Sequence, residues 1–339
     1  MEQRLPMKVL ISGAAAVGGV GSFAAGLHAG FTELGIPGEV VAPAQVYQRR
    51  RALRDPRVLK ILSTSAVFAA PYARRCICMA HGFPAAAYKG WPTALAILAS
   101  YRLATVSRGA QLVAVSDYSA IQLRTIFGLR VDAVIRNPVL PLFLEPAPET
   151  HAKRDAITYV GRLHRSKNIH KVLPAVRDVL DENDGLCAWI IGDGPMRGTL
   201  EAMAAGDKRI EFLGMKSPEQ VRERLRRSRV FLSANPTEPF GIVYLEALSQ
   251  GCAVAMPSSG GGLEIAPDSI GGQVQLFGAL VDRASVASAL RRALGASPAT
   301  PPLIAYSATE VAKAYLAADA RFSPQGIFHA EAADERNRL

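Results

Sequence analysis

The 339-residue sequence lacks the usual marks of a metal-knuckle, exported or membrane-spanning protein. It has only four cysteines, Cys76, Cys78, Cys187 and Cys252. Apart from one Cys-x-Cys pair they are scattered and match no zinc-binding spacing, so a reducing compartment is the simplest expectation. No N-terminal segment shows the charged, apolar and small-residue order of a signal peptide, and Lys8 to Ser12 reads instead as a first strand. No apolar run approaches the ~20 residues of a spanning helix. The longest candidate, Ala94 to Val106, is interrupted by Tyr101 and Arg102. The expected location is therefore cytoplasmic, with any membrane contact peripheral and at the inner face of the cytoplasmic membrane. Charged residues make up 20% and apolar ones 49%, the balance of an ordinary globular protein. The length exceeds a comfortable single core, so two domains are expected. The net charge of +10 predicts attraction to phosphate, anionic lipid or nucleic acid. No module of clustered aromatic and basic residues supports nucleic acid as the partner.

The most informative stretch is Glu238-Pro-Phe-Gly-Ile-Val-Tyr-Leu-Glu246. A β-type run, Val230 to Ser233, precedes it. Gly251 then stops a helix with apolar positions at Ile242, Leu245 and Leu248, and the strand Cys252 to Met256 follows. In such a strand–loop–helix unit the helix start faces the carboxyl end of the strand, and the amides around Phe240 and Gly241 point into the ligand crevice. Two carboxylates flank that start. The bland alternative is that Glu238 caps the helix and Glu246 is a solvated helical charge.

Earlier in the chain, Met7 to Ser12 is an apolar strand, followed by a glycine-rich turn containing Gly18 and Gly19 and a helix through Phe23, Leu27 and Phe31. A dinucleotide fingerprint would place an acid at the end of the second strand, but Gly38 to Pro43 ends in Ala42 and Pro43, which argues against a nicotinamide enzyme. Residues 48–60 are the densest basic segment, read either as a solvated helix face or as a contact for an anionic acceptor or membrane surface. Cys76 to Ala80 is a strand ending at His81-Gly82, where α/β proteins place ligand contacts and where a structural histidine is the alternative. Tyr88, Lys89 and Trp91 precede an apolar helix, with core packing favoured over an interfacial anchor. Gln111 to Ser116 reads as a further strand. Pro138, Pro141, Pro146 and Pro148 disfavour helix and place an extended linker near 139–153.

A second half opens with the strand Ala156 to Val160, then Gly161-Arg162-Leu163 and, in the same loop, Lys167, ahead of a helix with Ile169, Val172, Leu173 and Val176. Two cations in a strand–helix loop suit a diphosphate with a helix dipole behind it. Strands at Ala188 to Ile191, capped by Gly192-Asp193-Gly194, and at Ile210 to Gly214 follow. Val221 to Arg229 reads as a solvated basic helix. After the central motif come Gly260-Gly261-Gly262 and Glu264, and two helices near Ser285 to Leu294 and Ser307 to Leu316.

Together, the two acids separated by seven residues, Gly-Arg-Leu with a lysine at its offset, and His81 resemble the retaining GT-B glycosyltransferases of the GT4-like family, the glycosyl transferases group 1. The resemblance implies an α/β GT-B fold of two Rossmann-like domains facing a central cleft. Their expected bounds are residues 1–145 for the acceptor domain and 150–300 for the nucleotide-sugar domain, with 301–339 returning to the N-domain. It implies a metal-independent hexosyltransferase without a cofactor, moving a sugar from a UDP- or GDP-sugar to a saccharide acceptor, lipid-linked in one reading, with a role in bacterial envelope polysaccharide or lipopolysaccharide synthesis. Carried over residue by residue, Arg162 and Lys167 hold the diphosphate and Glu246 the ribose. Glu238, with Phe240 and Gly241, and His81 hold the transferred sugar. Gly18, Gly19, Gly161 and Gly192 approach the donor, Met215 meets the base, and Glu264 is a further donor contact. A same-fold sugar-nucleotide epimerase and a noncatalytic carbohydrate-binding relative remain as alternatives.

Overall fold

A computed structural model describes residues 8–13, 19–82, 86–145, 155–265, 272–297 and 303–320, with the backbone alone for 86–89 and 320. The chain divides into two compact units, Met1–Leu140 with Ile304–Leu339, and Pro141–Leu303.

The first unit contains β1 (Lys8–Ser12), α1 (Gly19–Glu33), β2 (Gly38–Val41), α2 (Arg50–Arg54), β3 (Val58–Ser63), β4 (Cys76–Ala80), α3 (Ala86–Val106), β5 (Ala110–Ala114), α4 (Asp117–Thr125), β6 (Ala133–Val134) and α11 (Ala308–Ala320). Its six strands run parallel in the order β2-β1-β3-β4-β5-β6. Strands covered on both faces read as near-continuous apolar runs, and Leu10, Ile11, Ile61, Leu62, Ile77, Met79, Leu112 and Val113 are all buried. The C-terminal helix α11 is an integral layer of this unit. Its Asp319 forms a bidentate pair with Arg75 just before β4, Gln111 of β5 donates to Ala318 O at 2.9 Å, and Tyr315 packs beside Met79.

Two expectations for this half are corrected. The basic run 48–60 is not one solvated helix, because only Arg50–Arg54 is helical and Val58–Ser63 is a central strand. Within that strand Lys60 is fully buried, its Nζ donating to Asp55 O and Arg74 O at 2.5 Å each, and burial pulls its pKa down to about 8. The alternation of charge and apolar residues hid a strand whose lysine finds backbone acceptors in the segments that precede β3 and β4. Trp91 does not pack in the core. Non-helical Gly90 kinks α3 and turns Trp91 outward at 70% exposure. Side chains of Tyr88 and Lys89, like Gly18, lie outside the described residues.

The second unit comprises α5 (Pro141–Leu144), β7 (Ala156–Val160), α6 (Ile169–Asp181), β8 (Cys187–Ile191), α7 (Arg197–Ala204), β9 (Ile210–Gly214), α8 (Pro218–Arg226), β10 (Val230–Leu232), α9 (Ile242–Ser249), β11 (Ala253–Pro257), β12 (Val274–Phe277) and α10 (Arg283–Leu294). Its sheet, also parallel, has the order β12-β11-β10-β7-β8-β9. Helix α6 shows how the sequence builds this layer, with Ile169, Val172, Leu173, Val176, Val179 and Leu180 on one buried stripe at helical spacing.

Two expectations are corrected here. The proline-rich stretch does not remain extended throughout, because Pro141 starts the short helix α5 at the position that tolerates a missing N–H, and Phe143 is buried there. Nor is the α8 region a solvated basic face. Arg222 donates to Leu142 O and pairs with Glu145, Arg224 stacks 4.7 Å over the Trp189 ring, Arg226 donates to Gln250, and Arg229 pairs with Asp155. Sequence showed the charge but not the acceptors, which come from elements distant along the chain.

Candidate active site

In the second unit, loops leave the carboxyl ends of β7 and β10 and meet. After β7, Arg165–Lys167 forms a single 3-10 turn, with His164 Nδ1 accepting from Ser166 N at 3.2 Å and left-handed Asn168 leading into α6. This holds Lys167 beyond the carboxyl end of β7, and its Nζ lies 2.8 Å from Glu238 Oε2. The same oxygen accepts from Asn235 Nδ2 at 2.7 Å, while Asn235 Oδ1 receives Thr237 N and Oγ1 at 3.2 and 3.1 Å. Burial raises the Glu238 carboxyl, but the Lys167 ammonium and the Asn235 amide outweigh it and hold its pKa below the usual range. The result is an ionised carboxylate and a cation poised against one another in a half-buried loop.

Gly241 caps α9 at φ +89, and Glu246 follows in the second turn. It is not a solvated charge. Its exposure is 8%, and desolvation pushes its pKa up to about 7. A carboxyl in this state gains most from a ligand that donates hydrogen bonds to it. Arg162 is exposed beside Gly161, and its carbonyl accepts from Tyr159 Oη at 3.2 Å. Met215, just beyond β9, is exposed.

The glycines of the motif serve close packing of loop on loop. A Cβ on Gly192, at φ +130, would stand 1.9 Å from Gly161 O, and one on Gly261 would stand 1.9 Å from Pro239 O. Gly261 N also donates to Glu238 O at 2.8 Å, so the 3-10 turn Gly261–Glu264 buttresses the central motif from behind. Two contributors escaped the sequence reading. Asn235 aims Glu238, and its Asn-Pro pair was a turn signal available beforehand. Tyr244, buried with its hydroxyl 2.7 Å from Ser233 Oγ, forms the floor under Gly241, and only the fold reveals that contact.

His81 belongs to the first unit. It follows β4 with its ring edge-on to Phe23 at 4.7 Å, its Nε2 is buried without a hydrogen-bond partner, and burial lowers its pKa to about 4. Gly19 starts α1, and a Cβ there would meet nothing within 4 Å.

The comparisons bear on this arrangement. Residues 144–294, from the end of α5 to the end of α10, match the family model Glycosyl transferases group 1. Over that stretch the chain is similar to the family. The chain is 31% identical over 150 residues to the phosphatidylinositol N-acetylglucosaminyltransferase gpi3 subunit of Schizosaccharomyces pombe, covering 43% of this chain and 33% of the relative. It is 34% identical over 98 residues to the alpha-monoglucosyldiacylglycerol synthase of Streptococcus pneumoniae, covering 28% and 22%. The chain thus spans about a third or less of the length of these curated relatives. Among solved structures, Anabaena HepE in complex with UDP and glucose aligns at TM-score 0.67 and 18% identity over 98% of this chain and 100% of that one. AviGT4, a glycosyltransferase involved in avilamycin A biosynthesis, aligns at 0.69 and 18% over 93% and 98%. The chain, with its two parallel six-stranded sheets, has the GT-B fold.

Proposed function

We propose that the protein is a hexosyltransferase that takes its sugar from a nucleoside-diphosphate donor. The observation that carries this reading is the Lys167–Glu238 pair, with Asn235 fixing the carboxylate, beside the buried Glu246 of the same motif. In the ligand-free chain Lys167 neutralises Glu238. On donor binding Lys167 and Arg162 turn to the diphosphate, and Glu238 is left to accept hydrogen bonds from sugar hydroxyls. Glu246, about half protonated at neutral pH when empty, ionises as ribose hydroxyls replace its lost hydration. When the bond between the anomeric carbon and the diphosphate oxygen breaks, charge grows on that oxygen, where fixed cations lower the barrier most. Structures of relatives with UDP and UDP-glucose support this class of donor. Retention of configuration, a saccharide acceptor and a role in envelope polysaccharide or lipopolysaccharide synthesis follow from the family resemblance and belong to the same proposal.

Thermal melting with UDP, GDP, ADP and NAD in parallel tests it. A ligand at ~100 times its dissociation constant adds ~2.7 kcal/mol, a readable shift. A shift with UDP or GDP supports the reading and names the donor class, whereas a chain indifferent to every nucleoside diphosphate would falsify it.

A second reading concerns location. Arg50, Arg51 and Arg54 on α2 are exposed and form no ion pair among the described residues, unlike Arg49 with Glu39 or Arg57 with Asp55. These arginines favour peripheral contact with an anionic membrane, and equal sedimentation of wild type and the triple alanine variant with anionic liposomes would remove it.

A further inference from the structure

Tyr159 stands where the two arms of the candidate site meet. It is near the carboxyl end of β7, the strand between β10 and β8 in the second sheet. Its ring belongs to the apolar core with Ile157, Ile190 and Leu232, and the whole residue is 4% exposed. A phenylalanine would serve that packing equally well. The hydroxyl, however, reaches the exit of the strand, where it donates to Arg162 O at 3.2 Å. Charges of both signs from the site act on it. Burial raises its pKa most, the Glu238 carboxylate raises it further, and the Arg162 guanidinium works against them. The acid of one loop and the cation of the other thus share this one buried hydroxyl as a neighbour.

The backbone around the hydroxyl is pinned on either side of that bond. Gly161 N donates to Ile191 O at 3.0 Å, Leu163 N donates to Asp193 O at 2.9 Å, and Leu163 O accepts from Met196 N at 2.9 Å. Between these fixed points the Arg162 carbonyl receives the Tyr159 hydroxyl and also His164 N at 2.9 Å, which closes a three-residue turn about Leu163. Gly161 is not among the left-handed glycines, yet a Cβ there would stand 2.9 Å from the Tyr159 hydroxyl. The hydroxyl, not its own dihedral, requires that glycine. With its neighbours pinned, the Arg162 carbonyl cannot turn without swinging the Cα–Cβ direction of the same residue. We infer that Tyr159 is a positioning residue for Arg162, its hydroxyl locking the peptide from which that guanidinium reaches a diphosphate. This rests on the nucleoside-diphosphate reading for what Arg162 holds.

Titration calorimetry on the full chain with UDP and GDP tests this through a double-mutant cycle of Tyr159→Phe and Arg162→Ala. Tyr159→Phe keeps the ring in the core and should raise the Kd of the bound diphosphate roughly three- to tenfold. Added to Arg162→Ala it should cost no more than about twofold, because the group it positions is gone. Gly161→Ala, which crowds the same hydroxyl, should show the same dependence on Arg162. Tyr244→Phe is the control. It removes another buried hydroxyl, one bonded to Ser233 Oγ at 2.7 Å instead of to the arginine loop, and its effect should be the same with and without Arg162. An unchanged Kd in Tyr159→Phe overturns the positioning role, and so does an equal loss on both backgrounds, the mark of a hydroxyl that only stiffens the fold. Diphosphate binding by the wild type with either of those outcomes rejects this role alone. A wild-type chain that binds neither diphosphate rejects the nucleotide-sugar reading itself, and the positioning role falls with it.

Discussion

The two units share an architecture and use charge in opposite ways. Residues 141–303 hold 19 lysines and arginines against 18 acids, and residues 1–140 with 304–339 hold 20 against 11, so nearly the whole excess of +10 resides in the first unit. In the second, near-neutral unit cations have addresses. The α8 arginines are used in ion pairs, carbonyl contacts and a stacked ring, and Lys167 meets Glu238. In the first unit the arginines of α2 stay on the surface, while its strand ends present uncharged polar atoms. A diphosphate demands cations at fixed places, which leaves a readable motif.

The contrast breaks most visibly if the cations of the second unit prove dispensable. Lys167→Ala and Arg162→Ala should each lower turnover ~10²–10³-fold, about 2.7–4 kcal/mol, and near-normal steady-state rates in both would strip the site of its electrostatic role. Next in size is the seam holding α11 to the first unit. Asp319 is 4% exposed opposite Arg75, and removing one partner of a buried pair costs ~3–5 kcal/mol. Asp319→Ala should therefore lower the denaturant midpoint of the first unit, while a UDP-induced melting shift in the second survives.

The buried acid sharpens the comparison through pH. Since the folded pKa of Glu246 is raised to about 7, the folded chain retains a proton that the unfolded chain loses, and stability falls as pH rises through the window between the ordinary carboxylate range and about 7. Glu246→Gln should then gain on wild type above pH 7, by on the order of 2–3 kcal/mol at most, while binding nucleotide more weakly. Chemical denaturation at pH 5 and pH 8 reads the first effect, and a gap between variant and wild type that does not grow with pH would contradict it. Smallest is the difference between engaged and unengaged arginines. Arg222→Ala should cost ~1–2 kcal/mol through the stranded Leu142 carbonyl, and the triple Arg50, Arg51, Arg54→Ala variant should stay within ~0.5 kcal/mol of wild type. Equal losses in the two would erase the distinction.

Much of the second unit was legible because its elements obey local rules. The periodicity of α6, the glycine stop after α9 and the Gly-Arg-Leu and Glu238 to Glu246 motifs are local in sequence. The first unit was less so. Strand β3 was obscured by Lys60, whose charge reads as surface until Asp55 O and Arg74 O are found beside it. Trp91 reads as core until the backbone at Gly90 turns it outward.

By itself the sequence determined the alternating α/β pattern, the strand–helix loops with their cations and acids, and the scarcity of cysteine, since each depends on neighbours within a few residues. Tertiary structure alone decided that Lys167 meets Glu238 across 71 positions, that Asn235 aims that carboxylate, that Glu246 is buried, and that Thr64 Oγ1, His81 Nε2 and Asn137 Oδ1 are buried without hydrogen-bond partners. The physical reason is that a side chain's charge state and its hydrogen-bond partners are set by what surrounds it in space. Parallel strands bring together residues that their crossover connections keep far apart along the chain.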